Sequence, residues 1–512
     1  MNITIVGGGT AGWAAAAFLI KQRPQHTYTI IESSEIKTIG VGEAATGMLT
    51  GLAEQLGMDR WDFMLRTDAL PKLAIDFQNW RGDGHGYLHP IDSSYTSSQA
   101  IDYMVYHSVA ENQGLASTSR NATLAQMGLS NVAWVENEFR EAGSLTWVVD
   151  PAKLADVLRN YCIEEGAIVI DTVVEDVLVE QGLVTGLVTD MGTLTADIYL
   201  DCTGSARILS RKLDTGWVSY EPYLPVNKGM PFRLESDSEE RESVVTCRAM
   251  NNGWMWAAHT RHRIGRGYVY NDKFDTQEQI VQELEQHFGQ KVIPIKVINF
   301  ETGVIKEHFK GNVLTLGMGA GFLEPMQATS IHASLVQVND WAATCLSGDV
   351  AATIDPLVIE AYNRRCQRLY KDMMEFVAVH YATDRADTDF WKYVSTELAR
   401  PQKVKEMIAL AEKRLIRNDD FDHYLGSAGA PLWIYSLAGL GLFDAETCKR
   451  VLTEFNYNMD HIQGQKELQL EEVLKIKEYI LTQTELNNMM KNMVEVPETH
   501  DNVQAKTYAK LQ

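Results

Sequence analysis

Residues 3 to 32 constrain this chain more tightly than any other stretch. Ile3 to Val6 is an apolar run of strand length, Gly7 to Gly12 is a glycine turn, Trp13 to Gln22 is an alanine-rich helix, and Tyr28 to Ile31 is a second strand ending at Glu32. Strand, turn, helix and strand in that order make a βαβ dinucleotide-binding unit. Gly7, Gly9 and Gly12 supply G-x-G-x-x-G, with Thr10 and Ala11 between the last two. The first glycine allows the tight turn, the second lets backbone approach a pyrophosphate, and the third lets the helix pack closely on the strand. Glu32 stands 20 residues beyond Gly12, where a carboxylate accepts hydrogen bonds from a ribose diol.

Farther along, Pro151 to Glu165 has helical spacing, and Ala167 to Val188 is valine- and isoleucine-rich with breaks at Gly182 and Gly186, as expected of a helix feeding a hairpin-rich sheet. Gly311 to Leu316 is again an apolar strand entering a glycine turn, Gly317 to Gly321, and then a helix, so the chain is expected to return late to the nucleotide-binding edge. From about Ser395 the pattern turns helical, and beyond about Asn488 it is polar and aperiodic. We therefore expect a core over 1–395 with interleaved substrate-side segments, a helical C-terminal subdomain over 396–487 and a flexible tail over 488–512.

Composition removes several classes of function. Of the 512 residues, 45% are hydrophobic and 22% charged, as in ordinary globular proteins. The formal charge of -22 repels phosphate backbones and anionic lipid heads, so neither nucleic acid nor a membrane surface is an expected partner. Cys162, Cys202, Cys247, Cys345, Cys366 and Cys448 are scattered without a CxxC pair, and no histidine cluster has metal-ligand spacing. With no basic n-region or cleavage site near Met1 and no long apolar span, a cytoplasmic location is expected.

Other segments carry candidate chemistry. Thr38 to Thr46, TIGVGEAAT, sets Gly42, Glu43 and Ala44 just after the second strand. Leu200 to Gly204, LDCTG, is a strand exit of small residues. Gly317 to Ser330, GMGAGFLEPMQATS, places Thr329 and Ser330 at the start of an apolar helix, where backbone N–H groups suit an anion or a flavin carbonyl. In PKLAIDFQNW, strand alternation puts Lys72, Ala74, Asp76 and Gln78 on one face opposite Leu73, Ile75 and Phe77, and a lysine on a polar face is ordinarily solvated. Trp433 and Tyr435, an aromatic pair in a helical segment, read as core.

GGGTAGW, GVGEA, WVVDPAKLADVL, DCTG, GWMWAAHTRHRIGRGYVY, GMGAGFLEP and TDRADTDFW occur in the order seen in flavin-dependent halogenases. The chain resembles the tryptophan halogenase family to about Trp391, and more loosely through PLWIYSLAGLGLFD. The resemblance implies an α/β flavin monooxygenase-type fold, Rossmann-like, with a mixed sheet. It implies reduced FAD from a separate flavin reductase, dioxygen, and halide as co-substrate, giving hypohalous acid that halogenates an electron-rich indole, phenol or related ring. A homo-oligomer is compatible with it. Lys72 stands where the family has its catalytic lysine. The implied FAD site takes in Gly7, Gly9, Thr10, Ala11, Gly12, Glu32, Gly42, Glu43, Ala44, Val174, Gly204, Met318 and Ile331, and the implied halide site Thr329 and Ser330.

Departures from the family pattern limit the transfer. Trp254 and Trp256 keep the WxWxIP tryptophans, but Ala258 and His259 replace Ile-Pro. The EPLESTG stretch runs from Glu324 to Ser330, and Gln327 replaces its second glutamate. An amide cannot act as a base near neutral pH, which favours small, activated rings over free tryptophan. Ser330 replaces the glycine of the halide pair and forgoes its conformational freedom. Two alternatives stay open at this point: a flavin-dependent aromatic hydroxylase, and a flavin-binding protein whose halogenase activity has lapsed.

Overall fold

Asn2–Val6 lies near the middle of a six-stranded sheet, parallel to Thr27–Glu32 on one side and to Ile198–Asp201 on the other. Ile168–Asp171 continues the parallel array beyond Thr27–Glu32, Val313–Thr315 continues it beyond Ile198–Asp201, and Phe309–Lys310 ends it antiparallel. Strands covered on both faces need near-continuous apolar runs, which is why Ile3, Ile5, Ile30, Leu200 and Leu314 are all fully buried. The structure is a computed structural model that describes residues 1–36, 43–91, 99–143, 145–421 and 429–494.

The helix Thr10–Gln22 buries alanines 14 to 17 all round, because the helices Pro151–Glu164 and Thr329–Thr344 both pack on it. Small side chains there let three helices approach one another over the glycine turn. Ala167 to Val188 departs from the hairpin expectation at its start. Ile168–Asp171 joins the parallel sheet, and only Asp176–Glu180, Leu183–Thr189 and Gly192–Leu194 form an antiparallel trio.

A second, mixed sheet carries the substrate side. Its order is Val292–Pro294, Lys228–Leu234, Ile264–Tyr270, Gly253–His259, Val244–Met250, Ala74–Gln78 and Gly86–Pro90, and all these pairs are antiparallel except Val244–Met250 with Ala74–Gln78. One hydrophobic cluster runs from Ile75, Phe77 and Trp254 on this sheet to Trp433, Tyr435 and Leu452 on the C-terminal helices. Trp433 and Tyr435 are core, as expected.

The core carries long helices of its own, and the last helix runs past the expected start of the tail. Long helices already occupy Thr329–Thr344 and Pro356–Val379, ahead of residue 396. At the other end Gln483–Val494 is helical, with Leu486 and Met490 buried in the cluster that holds Ile3 and Trp13. Two apolar residues four apart suffice to dock a polar helix on one side, and so short a stripe was invisible as periodicity. Residues 495–512 lie outside the described residues. Among the described residues no helix is long and apolar enough to cross a membrane.

Candidate active site

Three glycine-bearing loops meet at the C-terminal ends of the parallel strands, where ligands bind in open α/β sheets. Gly7 has φ +116° and leaves no room for a side chain, since a Cβ there would stand 2.3 Å from the Cys202 carbonyl oxygen. A Cβ on Gly12 would stand 2.0 Å from the Gly7 carbonyl oxygen, so helix and turn touch backbone to backbone. Gly317 faces Ala11, and Gly319 faces the Gly204 carbonyl, which brings the late glycine turn onto the nucleotide edge as the sequence implied. Asp201 fixes the middle loop: its carboxylate accepts from the Thr203 hydroxyl at 2.6 Å, the Ser210 N–H at 2.8 Å and the Leu209 N–H at 3.1 Å.

Residues 7 to 11 remain half-buried while their surroundings are closed. The helix that starts at Thr10 has Gly9 as its N-cap, without a side-chain cap and without an acidic residue in its first turn. Free N–H groups and the positive end of the helix dipole at an accessible turn suit a pyrophosphate. Glu32 is only partly free. Arg159 donates its Nε–H to Oε1 at 2.8 Å, while Oε2 stands over Gly8, leaving that oxygen for a ribose. Val174 is buried with Val6 and Ile31, Ile331 is buried in the cluster of the first helix, and Met318 is exposed at the loop crest. These residues fit an FAD.

Glu43 and Ala44 pair with Val149 and Val148 as a two-residue strand, and Gly42 lies outside the described residues. Burial, with Asp150 nearby, raises the Glu43 carboxyl to about 7. Thr46 meets His332 on the Thr329–Thr344 helix at 3.0 Å, which ties this strap to the segment carrying Thr329 and Ser330.

Lys72 overturns the solvated reading. It is 1% exposed, and its ammonium nitrogen has no hydrogen-bond partner among the described residues. Burial lowers it from 10.5 to about 7, with the Cys247 thiol exerting a smaller opposite pull. Alternation fails because the strand begins only at Ala74. Lys72 is held ahead of it, its N–H donating to Thr146 O at 2.8 Å and its carbonyl accepting from the Thr146 hydroxyl at 2.8 Å. Gln483 of the last helix donates to the Pro71 carbonyl at 2.7 Å, so the C-terminal helix braces this lysine.

The lysine's charge reaches residues on the apolar face of the strand. Burial foremost, with a smaller push from that charge, lowers His89 to about 4, and the charge is also felt by Cys247. Register puts His89 opposite Ile75, and both Tyr87 and Cys247 opposite Phe77, so the five share one side of the sheet. Phe77 stacks on His380 at 4.6 Å between ring centroids, and Trp80 meets Tyr381 edge-on at 5.6 Å. Glu324 is buried; the Tyr381 hydroxyl is 3.0 Å from both its oxygens, and burial raises it to about 8.

Gln327 borders the cluster of buried side chains that makes up this lysine chamber, with φ 63°, ψ 11°, and its amide nitrogen lies 3.1 Å from Nε2 of His380. Thr329 and Ser330 open the helix Thr329–Thr344 behind an uncapped N-terminus, with no acidic residue in the first turn. Ser330 therefore stands in helical backbone, where the missing glycine costs no conformational freedom; left-handed backbone falls instead on Gln327 and Ala328. Sequence reasoning passed over His89, His380, Tyr381 and Arg159. The available signal was a lone histidine in each of two apolar stretches, GYLHP and EFVAVHYA, which by itself does not distinguish a chamber wall from packing.

A doubly covered parallel sheet with a glycine phosphate turn, coupled to a mixed sheet with a buried lysine, defines an FAD-dependent oxidoreductase fold. The tryptophan halogenase family matches residues 2–453, and the chain belongs to it. Its curated relatives include the 7-chloro-L-tryptophan 6-halogenase KtzR of Kutzneria sp. (strain 744), 28% identical over 429 residues, covering 77% of this chain and 82% of that protein. The tryptophan 7-halogenase RebH of Lentzea aerocolonigenes is 26% identical over 485 residues, covering 86% and 89%. Among solved structures, Tar14, a tryptophan C-6 flavin-dependent halogenase from taromycin biosynthesis, superposes with TM-score 0.86 at 25% identity over 96% of this chain and 99% of its own. Xcc4156, a flavin-dependent halogenase from Xanthomonas campestris, gives TM-score 0.80 at 26% identity over 96% and 98%. The chain is a flavin-dependent halogenase that uses FAD and halide on an aromatic substrate.

Proposed function

We propose that the enzyme halogenates small, electron-rich indoles, phenols or related rings in the cytoplasm, with reduced FAD supplied by a separate, diffusing reductase. The buried amine of Lys72, without a hydrogen-bond partner among the described residues, is the observation that carries this reading. Gly7, Gly9, Thr10, Ala11 and Gly12 would hold the FAD pyrophosphate and Glu32 its ribose, with Val174, Gly204, Met318 and Ile331 beside the cofactor and the strap of Glu43 and Ala44 over it. Halide lies at the N–H groups of Thr329 and Ser330, where a helix N-terminus favours an anion. Reduced FAD with dioxygen supplies the two-electron oxidation of halide to hypohalous acid.

Lys72 governs transfer of the halogen to the ring. With its amine near 7, neutral and charged forms are both well populated at neutral pH. The neutral amine attacks the halogen of HOX, forming an N–X bond and releasing water, and then passes the halogen on. The ammonium form can only hydrogen-bond the oxidant. Phe77, Trp80, Trp254 and Tyr381 exclude bulk water, which keeps hypohalous acid from indiscriminate reaction. Gln327 cannot take the ring proton, so strongly activated rings, whose cationic intermediate loses its proton readily, are preferred over free tryptophan.

The test separates halide oxidation from transfer. Lys72→Ala should lose aromatic halogenation by about a thousandfold or more, while still consuming dioxygen and releasing hypohalite or hydrogen peroxide. Substantial halogenation by that variant removes Lys72 from the mechanism. Efficient single-position halogenation of free tryptophan by the wild type refutes the substrate preference.

A further inference from the structure

His380 is locked in one tautomer. Its Nδ1 faces the carbonyls of Phe376 at 3.1 Å and Val377 at 3.2 Å, and carbonyls only accept, so Nδ1 carries the hydrogen. Burial, with a smaller push from His89, keeps the ring neutral by lowering it to about 3. Nε2 is therefore a bare lone pair, and it lies 3.1 Å from the Gln327 amide nitrogen and 3.3 Å from the Ser436 hydroxyl. Gln327 must present its NH2 to that lone pair, because the flipped amide would set oxygen against it. The Gln327 carbonyl is thereby oriented as well, and that oxygen has no partner among the described residues.

Backbone geometry supports an aimed side chain. Gln327 at φ 63° and Ala328 at φ 56° are consecutive non-glycine residues in the left-handed region, a conformation that persists where surrounding structure over-determines it. Position supports it too. The His380 ring stacks on Phe77 and lies 6.3 Å from His89, the residue that feels the charge of Lys72. The Gln327 amide is thus tied through His380 to the cluster of buried side chains that includes the lysine.

We infer that Gln327, oriented by His380, is a neutral hydrogen-bond acceptor for an N–H or O–H of the aromatic substrate, so that the enzyme selects rings bearing a free donor against N- or O-alkylated rings. This rests on the proposed halogenation at Lys72 and adds the feature by which the substrate is held. Gln327 touches the substrate; His380 is a positioning residue. A neutral acceptor satisfied only by a donor discriminates because the alkylated ring leaves it unpaired on burial.

The experiment compares indole with 1-methylindole on the FAD-loaded protein, by turnover with bromide and a flavin reductase and, separately, by equilibrium binding. Wild type should favour indole by about tenfold or more in both measurements. Gln327→Met, which keeps the length and removes the acceptor, should bring the ratio to within about twofold. His380→Phe should do the same by freeing the amide to turn, and His380→Gln, which restores an acceptor near Nε2, should recover the preference. Equal binding of the two rings by wild type overturns the inference. So does a ratio that persists in Gln327→Met, since shape alone would then exclude the methyl group. Should neither ring be halogenated although indole binds selectively, the proposed function fails and the acceptor stands.

Discussion

At the nucleotide edge, Gly7, Gly12, Gly204 and Gly317 present bare backbone: at Gly7, Gly12 and Gly317 another backbone or a Cβ comes within contact distance, and Gly204 has open space around it but a φ of +63°. In the chamber, Lys72, His89, Glu324 and His380 are buried side chains, and burial shifts each toward its neutral form. The first region is made by removing atoms and the second by desolvating charges. They should fail differently, the edge through steric collision and the chamber through altered protonation at little cost to the fold.

The largest effect belongs to the edge. Gly12→Ala puts a methyl group 2.0 Å from the Gly7 carbonyl oxygen, a backbone atom that cannot rotate away. The first helix must then move off the turn, and FAD affinity should fall by more than about a hundredfold, with soluble yield falling too. Gly9→Val, with two methyl groups on the phosphate path, should also abolish binding. Either variant binding FAD normally by flavin fluorescence would show that the cofactor lies elsewhere.

This difference also explains what could be read from the sequence. Glycines whose roles are steric stand at fixed offsets from a strand and a helix, so G-x-G-x-x-G, DCTG and GMGAG disclosed the edge and its late return. Chamber residues come from Lys72, His89, Cys247, Glu324 and His380, which are distant in sequence and meet only through strand register and helix packing. Local alternation even pointed the wrong way for Lys72, because it assumed that the strand extends back to a residue it does not include. The Arg159–Glu32 pair escaped for the same reason: the partners are 127 residues apart.

Next in size is a stability effect of unusual sign. Lys72 has an amine lowered from 10.5 to about 7 in the folded protein. Between those values the unfolded chain binds more protons than the native one, so wild-type stability rises with pH across that window; below pH 7 both states are protonated and the penalty is constant. Lys72→Met keeps an unbranched stem and removes the charge. It should stabilise the fold at pH 7 by up to about 4 kcal/mol, with the gain shrinking toward pH 10.5, while halogenation is lost. Denaturant titrations at pH 7 and pH 10 check this. A destabilised variant with no pH dependence would mean that the amine is solvated or paired.

A milder steric test sharpens the edge. A Cβ on Gly8 would come 2.5 Å from Oε2 of Glu32, a flexible side-chain end, and 2.6 Å from its Cβ, which moves only with the strand end that carries it. Gly8→Ala should displace that carboxylate and shift the end of the strand that carries it, keeping the protein folded with a small loss of Tm and weakening FAD about tenfold by loss of the ribose hydrogen bonds. Unchanged affinity would separate Glu32 from cofactor binding.

Arg159→Met is the smallest expected effect and the one that places the edge between the two modes of failure. Arg159 donates to Oε1 of Glu32 at 2.8 Å and also lies over the Trp13 ring, 5.9 Å from its centroid. Both partners of the ion pair keep some solvent contact, with side chains 37% and 20% exposed, so the pair is screened and contributes less than about 1 kcal/mol to folding. Its consequence is orientation: with Oε1 engaged, Oε2 is the oxygen left for the ribose. Removing the guanidinium frees the carboxylate to rotate, and methionine preserves most of the contact with Trp13. FAD affinity should fall about three- to fivefold with no measurable change in Tm, and added salt should narrow the difference between wild type and variant. A drop as large as that of Gly8→Ala would mean that Arg159 meets the cofactor itself, and an unchanged affinity would mean that Glu32 is already held by the strand that carries it.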